Sequence, residues 1–146
     1  MIYDKTTMFS DAQAITATAP STNSINVGTT GTPQGARQLG RDLGKGADVP
    51  VAVTVGATFN NLTSLNIAVQ CDGDINFGSP KTLVSRTYLL AELTAGKILP
   101  IPEVLPEGAD EQYLRLLYTV TGTAPTTGNI TAGVVAARQT NMGTHY

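Results

Sequence analysis

The chain has 146 residues, of which 41% are hydrophobic and only 14% charged, and its net charge is −2. That length suits one domain able to bury roughly two thirds of its unfolded surface, and nine basic against eleven acidic residues, with no basic cluster to neutralise a row of phosphates, argue against direct nucleic-acid binding. The start lacks the charged-then-apolar order of a signal peptide, and no apolar run approaches the ~18 residues of a membrane span, so the expectation is a soluble protein made in the cytoplasm, without membrane contact.

With so few charges the surface must be polar without being ionic. Threonine, the commonest residue, fills that role and favours extended chain. Ala12, Ala14, Ile15, Ala17 and Ala19 ahead of Pro20 would make at most one weak helical turn, so residues 1–20 are expected to form an extended N-terminal arm. A β-sandwich domain over 21–138 and a C-terminal tail over 139–146 follow. Ser24 to Val27 alternate polar with apolar, as a short strand does. Residues 28–48 are dense in glycine, with Pro33 and only Leu39 and Leu43 as sizeable apolar residues, and read as a long loop pinned at two points. A connection of that length inside a domain is often a binding element.

Val51, Val53 and Val55 share one face of a strand, with Ala52 and Thr54 on the other. Leu65, Ile67 and Val69 repeat the period of two, and Asp72, Gly73 and Asp74 close that run as a turn. Leu83 to Leu90 offers a less regular strand, followed by a turn from Glu92 to Gly96. Ile98 to Pro102 is extended but carries two prolines, which cannot donate to a ladder, and so belongs at a sheet edge. From Tyr113 to Thr121 the alternation is strict: Leu114, Leu116, Tyr118 and Val120 face one way, Arg115, Thr119 and Thr121 the other. After a turn from Gly122 to Gly128, Ile130, Ala132, Val134 and Ala136 form a returning strand expected to pair with the preceding one as an antiparallel hairpin. About seven short strands and no strong helix predict an all-β, two-sheet antiparallel sandwich of jelly-roll type.

Chemistry needs convergent titratable groups, and the chain offers few. His145, the single histidine, is the penultimate residue, where proton transfer is a poor expectation. Cys71 has no possible intrachain partner and shares the face of Val69, so it reads as a small buried hydrophobe. The stretch from Gly40 to Gly46 lacks the four-residue glycine spacing and the Ser or Thr after lysine that a phosphate loop requires. Asp72, Gly73 and Asp74 read as a hairpin turn rather than as part of a calcium site. Glu107, Asp110 and Glu111 form an acidic group just before the strongest strand, better suited to an exposed loop than to acid and base catalysis. Asn61 to Thr63 and Asn129 to Thr131 match the glycosylation triplet, which carries no information without a secretory signal. The expectation is a protein without enzymatic activity, cofactor or metal.

Several stretches of the string resemble a family of tailed-phage capsid cement, or head decoration, proteins: Met1 to Thr16, Ser21 to Gly28, Asp42 to Pro50, Tyr113 to Gly122, and the tail Arg138 to Asn141. The likeness runs over nearly the whole chain, with the Thr29 to Gly35 stretch fitting least well. It implies a jelly-roll subunit on the outer capsid surface of the virion, bound to a major capsid protein of the HK97 type and bridging neighbouring capsomers. It also implies a homo-oligomer, a dimer favoured over a trimer. The family has no short contact motif to transfer, so the candidate capsid-contact residues come from the reading of the loop and the chain end: Tyr3, Phe9, Arg37, Arg41 and Lys45. The rival reading is a carbohydrate-binding β-sandwich module, for which aromatics at 5% and no tryptophan make a poor platform.

Overall fold

The computed structural model describes residues 1–28, 42–46 and 48–138. Among these are nine strands: β1 (Tyr3–Ala14), β2 (Ala19–Pro20), β3 (Ile25–Asn26), β4 (Val51–Ala57), β5 (Leu62–Asp72), β6 (Lys81–Leu89), β7 (Ile98–Leu99), β8 (Tyr113–Gly122) and β9 (Asn129–Val135), with a single 3-10 turn at Leu90–Glu92. They form two antiparallel sheets, one ordered β1-β9-β4-β7 and the other β2-β8-β5-β6, with β3 also beside β8. The pairing is nested: β1 with β9, β2 and β3 with β8, β4 with β7, β5 with β6. A chain folded back on itself and then rolled gives this order, and the architecture is the expected sandwich with jelly-roll topology.

Strict alternation places the core. From the first sheet Val51, Val53, Val55, Ile130 and Ala132 are fully buried, and from the second Leu65, Ile67, Val69, Cys71, Tyr88, Leu114, Leu116 and Tyr118 meet them. Two buried tyrosines carry a hydroxyl into this layer, and each is partnered. Tyr88 Oη donates to the Ile101 carbonyl at 2.7 Å and accepts from the Ile101 N–H at 2.9 Å, so one side chain of the second sheet holds the chain just past β7. Ser10 Oγ donates to Gln13 Oε1 at 2.7 Å, and since a hydroxyl has one proton, Tyr118 Oη must donate to Ser10 Oγ, also at 2.7 Å. Burial pushes the Tyr118 phenol well above its ordinary range. Tyr118→Phe should therefore cost about 1 kcal/mol in denaturant unfolding, a single net hydrogen bond, because Ser10 keeps Gln13 as a partner.

Two expectations are corrected here. β8 and β9 do not form a hairpin but lie in different sheets, β8 beside β5 and β9 between β1 and β4. The turn between them crosses from one sheet to the other and is fastened to the parallel crossing from β4 to β5. Asn60 Oδ1 accepts the N–H groups of Thr126 and Thr127 at 2.8 and 3.1 Å, while Asn60 Nδ2 donates to Thr126 Oγ1 at 2.8 Å. The second correction concerns residues 1–20: they are extended, but they do not project as an arm. β1 is an edge strand of the first sheet, so the sandwich begins at Tyr3 rather than at residue 21.

β1 is repeatedly bulged, with register shifts between Tyr3 and Met8, Met8 and Ser10, and Ser10 and Gln13, and with Ala12 at φ 47°. Bulges of this kind spoil an edge for pairing with another chain. β1 can lie tight on β9 because residue 133 is glycine: a Cβ there would sit 3.0 Å from Met8 Cα and 3.1 Å from Thr7 O. The β2–β3 edge is broken in another way. Between its two pieces the Ser21 hydroxyl accepts the Leu116 N–H at 3.1 Å and donates to Asn23 O at 2.8 Å, taking the place of a strand residue.

Candidate interaction surface

Of the five candidate contact residues, the structure describes three. Tyr3 is half-buried on the outer face of the first sheet, opposite Val135 on β9, and its hydroxyl lies 3.3 Å from Thr54 Oγ1 on β4. Its side chain therefore crosses β9, which is possible because Gly133 and Ala52 present almost no bulk there. Phe9 is 0% exposed and belongs to the hydrophobic core. That corrects its assignment as a capsid contact, since a ring packed between the two sheets has no surface to offer. Lys45 is exposed. Arg37, Arg41 and most of the 28–48 loop lie outside the described residues, as do His145 and the 139–146 tail.

The described end of that loop is docked by one carboxylate. Asp42 Oδ2 accepts the Gly108 N–H at 2.8 Å and Oδ1 the Gly44 N–H at 3.0 Å, while the Leu43 N–H reaches Ala109 O at 3.2 Å. Residue 44 must be glycine, because a Cβ would run into the Pro106 carbonyl. The Gly108 hydrogen bond, first among several causes, holds the Asp42 carboxyl below its ordinary value. A depressed folded-state pKa stabilises the fold above the unfolded carboxyl pKa, and that contribution is lost as pH falls through the folded value. Acidification below about pH 4 should thus loosen this attachment, seen as shifts in the Gly44 and Gly108 amide signals. Asp42→Ala should abolish the pH dependence of both.

The other acidic residues serve the fold in a similar way. Asp72 Oδ1 accepts from Asp74 N at 3.0 Å and Oδ2 from Ser79 N at 2.9 Å, and Asp74 Oδ1 accepts from Asn76 N at 3.0 Å, so both brace the β5–β6 loop. Those backbone bonds, that from Asp74 first, lower the Asp72 pKa. Asp4 caps Thr6 through its backbone N–H and hydroxyl, at 2.9 and 2.8 Å. The acidic group before β8 does not converge: Asp110 pairs with Lys81 at 3.2 Å, Glu107 is exposed, and Glu111 sits beside Gly73. Among the described residues no three His, Cys, Asp or Glu side chains gather to hold a metal ion. Cys71 is fully buried, its thiol 3.8 Å from Gly108 O, and burial is the main cause that raises its pKa.

Two surface features were missed by sequence reasoning. The first is a shallow, mainly apolar groove of about 270 Å³ between the start of β1 and the end of β9, lined by Ile2, Asp4, Thr7, Val134, Val135 and Ala136. Ile2 is 71% exposed beside it, and Met1 is exposed as well. No local pattern announces this groove, because the two chain stretches meet only through long-range backbone pairing, Tyr3 opposite Val135 and the Ala136 N–H on Ile2 O at 3.2 Å. The second is a groove of about 190 Å³ over the outer face of the second sheet, where the β5–β6 loop folds back on Arg115. Alternation placed Arg115 outward, yet nothing in the string said that Phe77 would return over it.

Comparison with curated proteins finds no match. The family model described as Bbp16 matches residues 9–138, which takes in every strand from the second half of β1 to β9. The chain therefore belongs to the Bbp16 family, a membership that points to a phage-associated protein.

Proposed function

We propose that the chain is a capsid cement subunit, which attaches to the outer surface of a tailed-phage head and ties neighbouring major capsid proteins of the HK97 type together. The observation that carries this reading is the Bbp16 match over residues 9–138, joined to the segment likeness to cement proteins. The geometry supports it in two respects. The described carboxylates of Asp4, Asp42 and Asp72 are committed to the chain's own backbone, which suits a bracing domain rather than a reactive one. The exposed Met1 and Ile2 beside their apolar groove supply a contact at the sheet edge. Acting as a homo-oligomer, a dimer in preference to a trimer, the subunit would engage several capsid proteins at once. Each extra contact then forms at high effective concentration, and weak contacts add into firm attachment. The carbohydrate-binding alternative gains nothing from the structure: Tyr88 and Tyr118 are buried, and Tyr3 and Tyr113 are half-buried.

Sedimentation with heads that lack the subunit tests the proposal. The protein should pellet with such heads and raise their resistance to heat. Ile2→Asp should weaken attachment about tenfold or more, by setting an unpaired charge against an apolar contact. Replacing Arg37, Arg41 and Lys45 by alanine should flatten the salt dependence of binding. A parent chain that stays in the supernatant at all salt concentrations would overturn the reading.

A further inference from the structure

We propose that the groove over Arg115 is a docking site for a carboxylate side chain presented by a partner protein, with an apolar residue next to it. Arg115 stands on the outer face of β8 and is held on two sides. Its Nε donates to Gln70 Oε1 at 2.9 Å, and the guanidinium carbon lies 4.1 Å from the centre of the Phe77 ring. The two clamps are themselves firm. Gln70 is buried and its Nε2 reaches Thr82 Oγ1 at 3.3 Å. Phe77 is buried at φ 50°, with its N–H on Asp74 O at 3.0 Å, in the loop that Asp72 and Asp74 brace.

This leaves the two terminal nitrogens, the fork that takes both oxygens of a carboxylate. No described residue accepts from them. The other two described arginines have a carboxylate partner, Arg86 with Glu92 and Arg138 with Glu103, whereas Arg115 has none. Asp72 is nearby, but both of its oxygens are taken by backbone N–H groups. A half-buried, preorientated guanidinium that feels the Asp72 charge but makes no ion pair with it, and whose terminal nitrogens have no acceptor among the described residues, is a site that a second carboxylate completes.

The groove wall fits the same ligand. Thr22 and Ser24 line it, both exposed and with hydroxyls that have no partner among the described residues, and Ile75, 60% exposed, is also in its lining. A hydroxyl can donate to a carboxylate, and Ile75 needs an apolar neighbour. One cation with the Asp72 carboxylate already close by favours a singly charged ligand over a phosphate dianion. The inference stands apart from the capsid reading, because the chemistry of the groove decides it.

The test uses the full chain and three probes: a blocked hexapeptide with a central Ile-Glu pair, the same peptide with Gln for Glu, and acetate. Binding is followed by the amide and Arg115 Nε–H signals. The Glu peptide should shift Arg115, Thr22 and Ile75 and bind about tenfold or more tighter than the Gln peptide, as charge-assisted hydrogen bonds require. Arg115→Lys, which keeps the charge but loses the fork, should weaken it; Ile75→Ser should weaken the peptide and leave acetate unchanged. The core methyl signals report whether each variant is folded. Equal affinity for the Glu and Gln peptides, shifts elsewhere on the surface, or acetate binding as tightly as the peptide would each overturn the proposal.

Discussion

Replacing Phe9 by alanine should cost about 3–5 kcal/mol of stability in equilibrium unfolding. The ring is wholly enclosed in the core, and its backbone is tied down as well, with Phe9 O accepting the Asn23 N–H at 2.9 Å. Truncation leaves a void between the two sheets that bulged β1 and its neighbours cannot close without moving strands. The result separates two pictures of the N-terminal residues. If they were an arm reserved for a partner, Phe9→Ala would leave the isolated protein's stability within about 0.5 kcal/mol and act on head binding alone. A removal of residues 1–12 should likewise unfold the sandwich, since it strips an edge strand and not an appendage.

Leu116→Ala should cost about 2–5 kcal/mol by the same measurement. Leu116 is fully buried at the middle of β8, next to Val69 across the strand pair, and its N–H is bound by the Ser21 hydroxyl. An outward position three residues on makes the control: Thr119→Ala, on the opposite face, should change stability by no more than about 0.5 kcal/mol. A loss below about 1 kcal/mol for Leu116→Ala would mean that the inner and outer faces of β8 have been exchanged.

The facing of β4, β5 and β8 was legible in the string because it depends on chemistry one residue at a time. Val51, Val53 and Val55, then Leu65, Ile67, Val69 and Cys71, then Leu114, Leu116 and Tyr118 alternate with neighbours that are polar or small apart from Leu117, and the pleat sends alternate side chains to opposite faces. The prolines around Ile98 and Leu99 correctly marked β7 as an edge, since proline offers no ladder N–H. The composition likewise pointed to β structure. As for the candidate contacts, Tyr3 and Lys45 stood out as residue types, but only the fold shows Tyr3 laid across β9 and Lys45 exposed beside the Asp42 attachment.

By itself the sequence determined which residues face inward on the regular strands and that two sheets would enclose them, because alternation and β-branching act locally. The tertiary structure alone decided partners. Alternation is the same whether β9 returns beside β8 or crosses to β1 and β4, and the choice rests on long-range bonds such as those from Asn60 to Thr126 and Thr127. In the same way, Phe9 lies in a stretch too irregular to show a period, and becomes core because β1 bulges as it lies on β9. Arg115 becomes the floor of a groove because Phe77, 38 positions earlier in the chain, folds back over it. Contacts of this range are set by the packing of whole sheets, which no window of neighbouring residues contains.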